Sequence, residues 1–112
     1  MPQKKDFSEK ALLVQVETTK VKRILNFDNS FAEFRELARS AGANILNEVI
    51  GKQEIASPRY FIQKGKLEEI KEEIHKNQIE LVIFNHSLSP SQERNIEKYL
   101  KTRVLDRTGL IL

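Results

Sequence analysis

Apolar residues along this chain fall into short runs separated by longer polar stretches, and the spacing within the runs is of two kinds. Ala11-Leu12-Leu13-Val14-Gln15-Val16 is an aliphatic, β-branched run between charged Lys10 and Glu17, the pattern of a strand covered on both faces. Ile79-Glu80-Leu81-Val82-Ile83-Phe84 is the most apolar run, and Arg103-Val104-Leu105 is shorter; both are too short for buried helices and read as strands. Residues 43–50 alternate imperfectly, with Ile45, Asn47 and Val49 on one pleat face and Asn44, Leu46, Glu48 and Ile50 on the other. That is a strand with both faces partly covered. Residues 51–58 are polar, with Gly51 and Pro58 at the ends, and predict a mobile loop. Arg59-Tyr60-Phe61-Ile62 follows it as an expected compact strand.

Between these runs the apolar spacing changes to threes and fours. Phe31, Phe34, Leu37 and Ala38 share a helical face, with Ser30 and Glu33 at capping-box spacing in front and Gly42 positioned as a left-handed cap behind. From Lys66, the residues Leu67, Ile70 and Ile74 form a second such face, with acids weighted early and Lys76 late. Ser89-Pro90-Ser91-Gln92 supplies an N-cap, a proline at the first helical position and a glutamine at the third, ahead of Ile96, Tyr99 and Leu100. Strand and helix alternate throughout, which predicts an α/β fold: one domain over 1–112, with a mostly parallel four- to five-stranded sheet and helices on both faces.

Composition narrows the function classes. At 112 residues, 39% hydrophobic and 31% charged, the chain suits one ordinary globular core. It has no cysteine, which removes disulfides and thiolate chemistry and fits a reducing, cytoplasmic setting. No apolar run approaches the roughly 18 to 20 residues that a membrane helix needs, and residues 1–6 lead into mixed polar sequence rather than a signal-peptide core. Nineteen basic against sixteen acidic residues leave a net charge of +3. That balance is compatible with a nucleic-acid partner but turns on how the charges are distributed.

The first candidate site runs from Pro58 to Lys66, read as a strand, a tight turn at Gly65 and a helix N-terminus. Free backbone N–H groups there, with Arg59, Lys64 and Lys66, would attract phosphate; the alternative is that Gly65 only turns the chain and the lysines are solvated. A phosphate-binding P-loop is excluded, because Gly65-Lys66 is followed by Leu67 and the position five before Gly65 is Tyr60. No Asn-Lys-x-Asp guanine-reading motif occurs either. The second candidate is Asn85-His86-Ser87 with Asp106-Arg107-Thr108, at strand ends where open α/β sheets place ligands. Ser87 stands between His86 and Leu88 rather than spaced glycines, which argues against a nucleophile elbow. His75 and His86 lack a second ligand at metal-binding spacing, so no metal is expected. Glu68, Glu69, Glu72 and Glu73 read as a solvated helix face that repels RNA. On the third helix, capping accounts for Ser89, Pro90 and Gln92 and leaves Arg94 and Asn95 for recognition.

Three stretches, taken in order and with their separations, resemble the HflX family of ribosome-associated GTPases. They are Glu33-Phe34-Arg35-Glu36-Leu37-Ala38-Arg39-Ser40-Ala41-Gly42, Pro58-Arg59-Tyr60-Phe61-Ile62 with Lys64-Gly65-Lys66, and Leu88-Ser89-Pro90-Ser91-Gln92-Glu93-Arg94-Asn95. Residues 104–112 are similar to the family's next block, so the likeness covers about the last eighty residues. It implies an N-terminal α/β domain followed, beyond Leu112, by a helical hairpin and a G domain holding GTP and Mg²⁺. It also implies association with the large ribosomal subunit and its RNA, and a part in separating stalled ribosomes. Two departures stand out: Gln63 replaces a glycine usual before Lys-Gly-Lys, and Asn85-His86-Ser87 replaces a segment that is usually more acidic.

The expectation is therefore a module without catalysis or cofactor of its own, contacting rRNA backbone through Lys52, Arg59, Lys64, Gly65, Lys66 and Arg94. The apolar end Leu110-Ile111-Leu112 is expected to pack against the G domain. The competing expectation is an independent ATP- or GTP-binding domain using the strand ends near Gly65, Asn85 and Asp106.

Overall fold

In the computed structural model the described residues are 9–18 and 27–111, with the side chains of 27–30 and 111 left aside. The elements are β1 (Lys10–Glu17), α1 (Phe27–Ser40), β2 (Asn44–Lys52), α2 (Lys64–Asn77), β3 (Leu81–Phe84), α3 (Pro90–Leu100), β4 (Arg103–Leu105) and α4 (Arg107–Ile111). The strands form one parallel sheet in the order β2-β1-β3-β4. β1 and β3 take the centre, which is why their sequences read as unbroken apolar runs. β2 is an edge, hence its weaker pattern. A register shift opposite Ala11 and Leu12 leaves Leu46 unmatched and 42% exposed, as at a β-bulge.

Because side chains alternate across a strand, β1 and β3 feed two separate cores. Leu12, Val14, Val82 and Phe84 pack with Leu67 and Ile70 of α2 and Ile96 and Leu100 of α3. On the opposite face, Ala11, Leu13, Leu81 and Ile83 pack with Phe31, Phe34 and Ala38 of α1 and Leu110 of α4. The α/β sandwich inferred from the alternation is thus the observed fold, with four strands among the described residues.

Local cap signals were followed at Gly42 and Ser89. Gly42 closes α1 at φ 95, the left-handed region that glycine enters without penalty. Ser89 accepts from the Gln92 N–H at 3.1 Å while the Gln92 side chain accepts from the Ser89 N–H at 3.0 Å, completing the capping box of α3.

Four expectations are corrected. α1 begins at Phe27, ahead of Ser30, so the Ser30–Glu33 spacing does not mark its start. Arg59-Tyr60-Phe61-Ile62 is not a strand. Ser57 and Phe61 exchange backbone hydrogen bonds of 3.0 and 2.8 Å in an isolated bridge, and Phe61 adopts φ 66. The chain therefore doubles back on itself, and the apolar residues anchor a loop instead of extending the sheet. The turn is made at Phe61, whereas Gly65 lies inside the first turn of α2. Finally, Leu110, expected to pack against the G domain, is 8% exposed within the α1-side core. The Ile111 side chain and Leu112 lie outside the described residues.

Candidate nucleic-acid interface

In a sheet ordered β2-β1-β3-β4, the usual ligand crevice opens at the carboxyl ends of β1 and β3, where the connections leave toward opposite faces. Here that position is filled by the protein's own polar groups. The Asn85 amide donates to the Gln15 side-chain oxygen, and Asn85 Oδ1 accepts from Arg107 Nη1 at 3.1 Å. Arg107 Nη2 reaches Glu33 at 3.3 Å. His86 Nε2 accepts from the Val16 N–H at 2.9 Å, and its ring lies 4.6 Å from the Phe61 ring. Burial, reinforced by the nearby Arg107 charge, lowers the His86 pKa to about 4, so the imidazole is a neutral acceptor at pH 7.

Asp106 completes this closure. One carboxylate oxygen accepts from the Leu88 N–H at 3.1 Å and the other from the Gly109 N–H at 2.8 Å, tying the β3–α3 connection to the start of α4. Both oxygens serve backbone amides, not His86, so no Ser-His-Asp relay forms. Among the described residues no buried side-chain polar atom lacks a partner, and no group of three or more His, Asp or Glu could hold a metal ion.

The segment between β2 and α2 is the second candidate, and it is tied down at every turn. The Gln53 amide donates to the carbonyls of Ile55 at 2.9 Å and Phe61 at 2.7 Å, while its oxygen accepts from the Gln63 N–H at 3.2 Å. From α3, Gln92 donates to the carbonyls of Ser57 at 3.1 Å and Pro58 at 3.3 Å, and Asn95 donates to that of Arg59 at 3.1 Å. Ile62 is buried in the α2–α3 core. These bonds make the expected loose loop a stapled hook. Gln63 sits extended at φ −75 as the N-cap residue of α2, a conformation that needs no glycine.

The predicted contact residues separate into two groups. Arg59, Lys64, Lys52 and Arg94 are exposed, on the hook, the start of α2, the end of β2 and α3 respectively. Lys66 instead crosses Gly51 so closely that a Cβ there would meet its Cε at 2.6 Å. Its ammonium donates to the Ile50 carbonyl at 3.3 Å and pairs with Glu69 at 2.8 Å. Lys66 is a strut between α2 and β2. Gly65 is exposed with open space around it. Asn95, set aside by the sequence for recognition, is a staple.

The structure also assembles a group that sequence reasoning missed. Tyr60 of the hook meets Tyr99 of α3 with ring centroids 5.7 Å apart, and Lys71 of α2 places its ammonium 5.1 Å from the Tyr99 centroid. The Arg59 guanidinium lies 5.4 Å from the Tyr60 centroid. One available clue was that Lys71 follows Lys64 by seven residues, two helical turns, which puts both on one face.

The sequence profile described as GTP-binding GTPase N-terminal matches residues 28–112. GTPase HflX of Escherichia coli (strain K12) is 40% identical over 107 residues, 96% of this chain and 24% of that protein. The chain belongs to the HflX family of GTPases. HflX of Thermococcus kodakarensis is 43% identical over 83 residues, covering 74% of this chain and 19% of its own length. In fold, the crystal structure of SsGBP with GDP matches with a TM-score of 0.64 at 23% identity, over 92% of this chain and 27% of that one. The chain therefore spans about a quarter of the length of the HflX proteins it matches.

Proposed function

We propose that this domain is the RNA-contacting and regulatory N-terminal part of an HflX GTP-binding protein that acts in the cytoplasm on the large ribosomal subunit, in ribosome splitting or rescue. GTP with Mg²⁺ and its hydrolysis belong in this reading to a G domain elsewhere in the protein, since the residues here offer no phosphate-binding loop. The observation that carries the proposal is the hook with the two helices beside it: Arg59, Lys64, Lys71 and Arg94 are in no ion pair among the described residues. Cations held outward on a stapled frame suit phosphate contacts, which position an RNA partner without reading its bases. Independent nucleotide binding is less well supported, because the crevice it would use is taken by Gln15, Asn85, His86 and Asp106. Ile111 and Leu112 keep the proposed contact with the G domain, while Leu110 serves the core.

Co-sedimentation with purified 50S subunits over a salt series tests this, with an Arg59→Ala/Lys64→Ala/Arg94→Ala variant alongside. Binding that weakens steeply with salt and is lost in the variant is expected. Absence of wild-type binding at low salt would overturn the reading.

A further inference from the structure

The two tyrosines of the chain are Tyr60 and Tyr99, and they come from elements nearly forty residues apart to meet edge to face, 67° between ring planes. Each ring carries a cation, Arg59 on Tyr60 and Lys71 on Tyr99. The four side chains make a continuous ladder of cation, ring, ring and cation from the hook to the middle of α2. Both rings are partly buried against the α2–α3 core, and the hook end is pinned where Asn95 holds the Arg59 carbonyl. A ring beneath a long cationic side chain restrains it while leaving its outward N–H donors for another acceptor.

The geometry decides what such a ladder offers. One cation stands over each ring and the rings meet edge to face, so part of each ring is committed within the protein rather than to the unpaired base that stacking recognition needs. Fixed positive charges are presented instead, which suits phosphates held at fixed positions by a helical RNA. We propose that the Arg59–Tyr60–Tyr99–Lys71 ladder is a backbone-reading surface for double-helical RNA, gripping phosphates without stacking on bases. This inference rests on the RNA-contact reading above and names the RNA form and the residues. Lys64 extends the ladder along α2, and Glu68, between Lys64 and Lys71, is the acid that opposes it on that line.

The chain contains no tryptophan, so its tyrosine emission reports on this ladder alone. The test titrates the chain with an RNA hairpin of about sixteen base pairs, the span of a typical double-strand-reading domain, and separately with poly(U). The hairpin is expected to bind more tightly and to change tyrosine emission modestly. Lys71→Ala lowers the slope of log affinity against log salt by about one unit, and Glu68→Gln raises affinity. Tyr99→Leu weakens binding several-fold, and Tyr99→Phe, which keeps the ring, restores it and guards against misfolding. Tighter poly(U) binding with strong tyrosine quenching, hairpin binding unaffected by Lys71→Ala and Tyr99→Leu, or no binding of either RNA would each overturn the ladder. Normal 50S co-sedimentation of the ladder variants would leave the ribosomal reading intact while the ladder fails. Hairpin binding with the ladder signature, but no 50S binding by wild type, would reverse that outcome.

Discussion

The carboxyl edge of the sheet and the hook beside it are both polar, yet their polar groups face different things. At the edge, Gln15, Asn85, His86, Asp106 and Arg107 bond to one another and to nearby backbone, leaving no buried side-chain polar atom without a partner among the described residues. In the hook, the amides of Gln53, Gln92 and Asn95 hold backbone carbonyls, and the charges of Arg59 and Lys64 remain exposed. The difference teaches that a customary ligand position is not a site when its donors and acceptors are already taken. A less customary position keeps charges for a partner when its frame is satisfied separately from them.

The sharpest way to break this comparison is Asp106→Ala. It strips two backbone amides of their acceptor in a buried place and should cost about 3 kcal/mol of stability, read by urea denaturation, while leaving RNA affinity of the folded fraction unchanged. A stable variant that had lost a ligand or an activity would show that the edge is a site after all.

Acid should probe the same edge through His86. Its folded pKa of about 4 lies below the 6.5 of the free side chain. The unfolded state therefore binds more protons between these values, and stability declines as pH falls through that window and levels off below it. The loss attributable to His86 is up to about 3 kcal/mol. Replacing it by glutamine should flatten the stability profile between pH 4 and 6.5; an equally steep profile would assign the decline to other groups.

Smaller effects sharpen the hook side. Gln92→Ala with Asn95→Ala removes the staples and should lower stability by about 1 to 2 kcal/mol, with a measurable rise in amide exchange over residues 55–61 and weaker RNA binding. Unchanged exchange there would mean that other contacts hold the hook. The smallest effect expected is a gain: Gly65→Ala places a methyl in open space within a helix and should stabilise the fold by up to about 1 kcal/mol without altering RNA affinity. A loss of affinity would restore Gly65 to the contact surface.

How much was legible in the sequence follows the same division between frame and charge. β1 and β3 were readable because strands covered on both faces show continuous apolar runs, and Ser89 and Gly42 because caps are local. Arg59-Tyr60-Phe61-Ile62 misled because aromatic and aliphatic composition does not distinguish a paired strand from a loop anchored by the same side chains. Lys66 was grouped with Lys64 for its charge. Its role as a strut depends on Gly51 of another element, and the Lys71–Tyr99 contact likewise depends on the packing of α2 against α3. Leu110 was assigned with its apolar neighbours to a contact with the G domain, whereas its cover is α1, seventy residues earlier.

The staples from α3 reach main-chain oxygens of Ser57, Pro58 and Arg59, never their side chains. Part of the path of the hook is thus held from α3 through the main chain, while Gln53, Tyr60, Phe61 and Ile62 anchor it from within. The exposed side chain at residue 59 is open to recoding, from basic to acidic or neutral, while Asn95 holds its carbonyl in place. The charge that position 59 displays is therefore set separately from the fold that carries it.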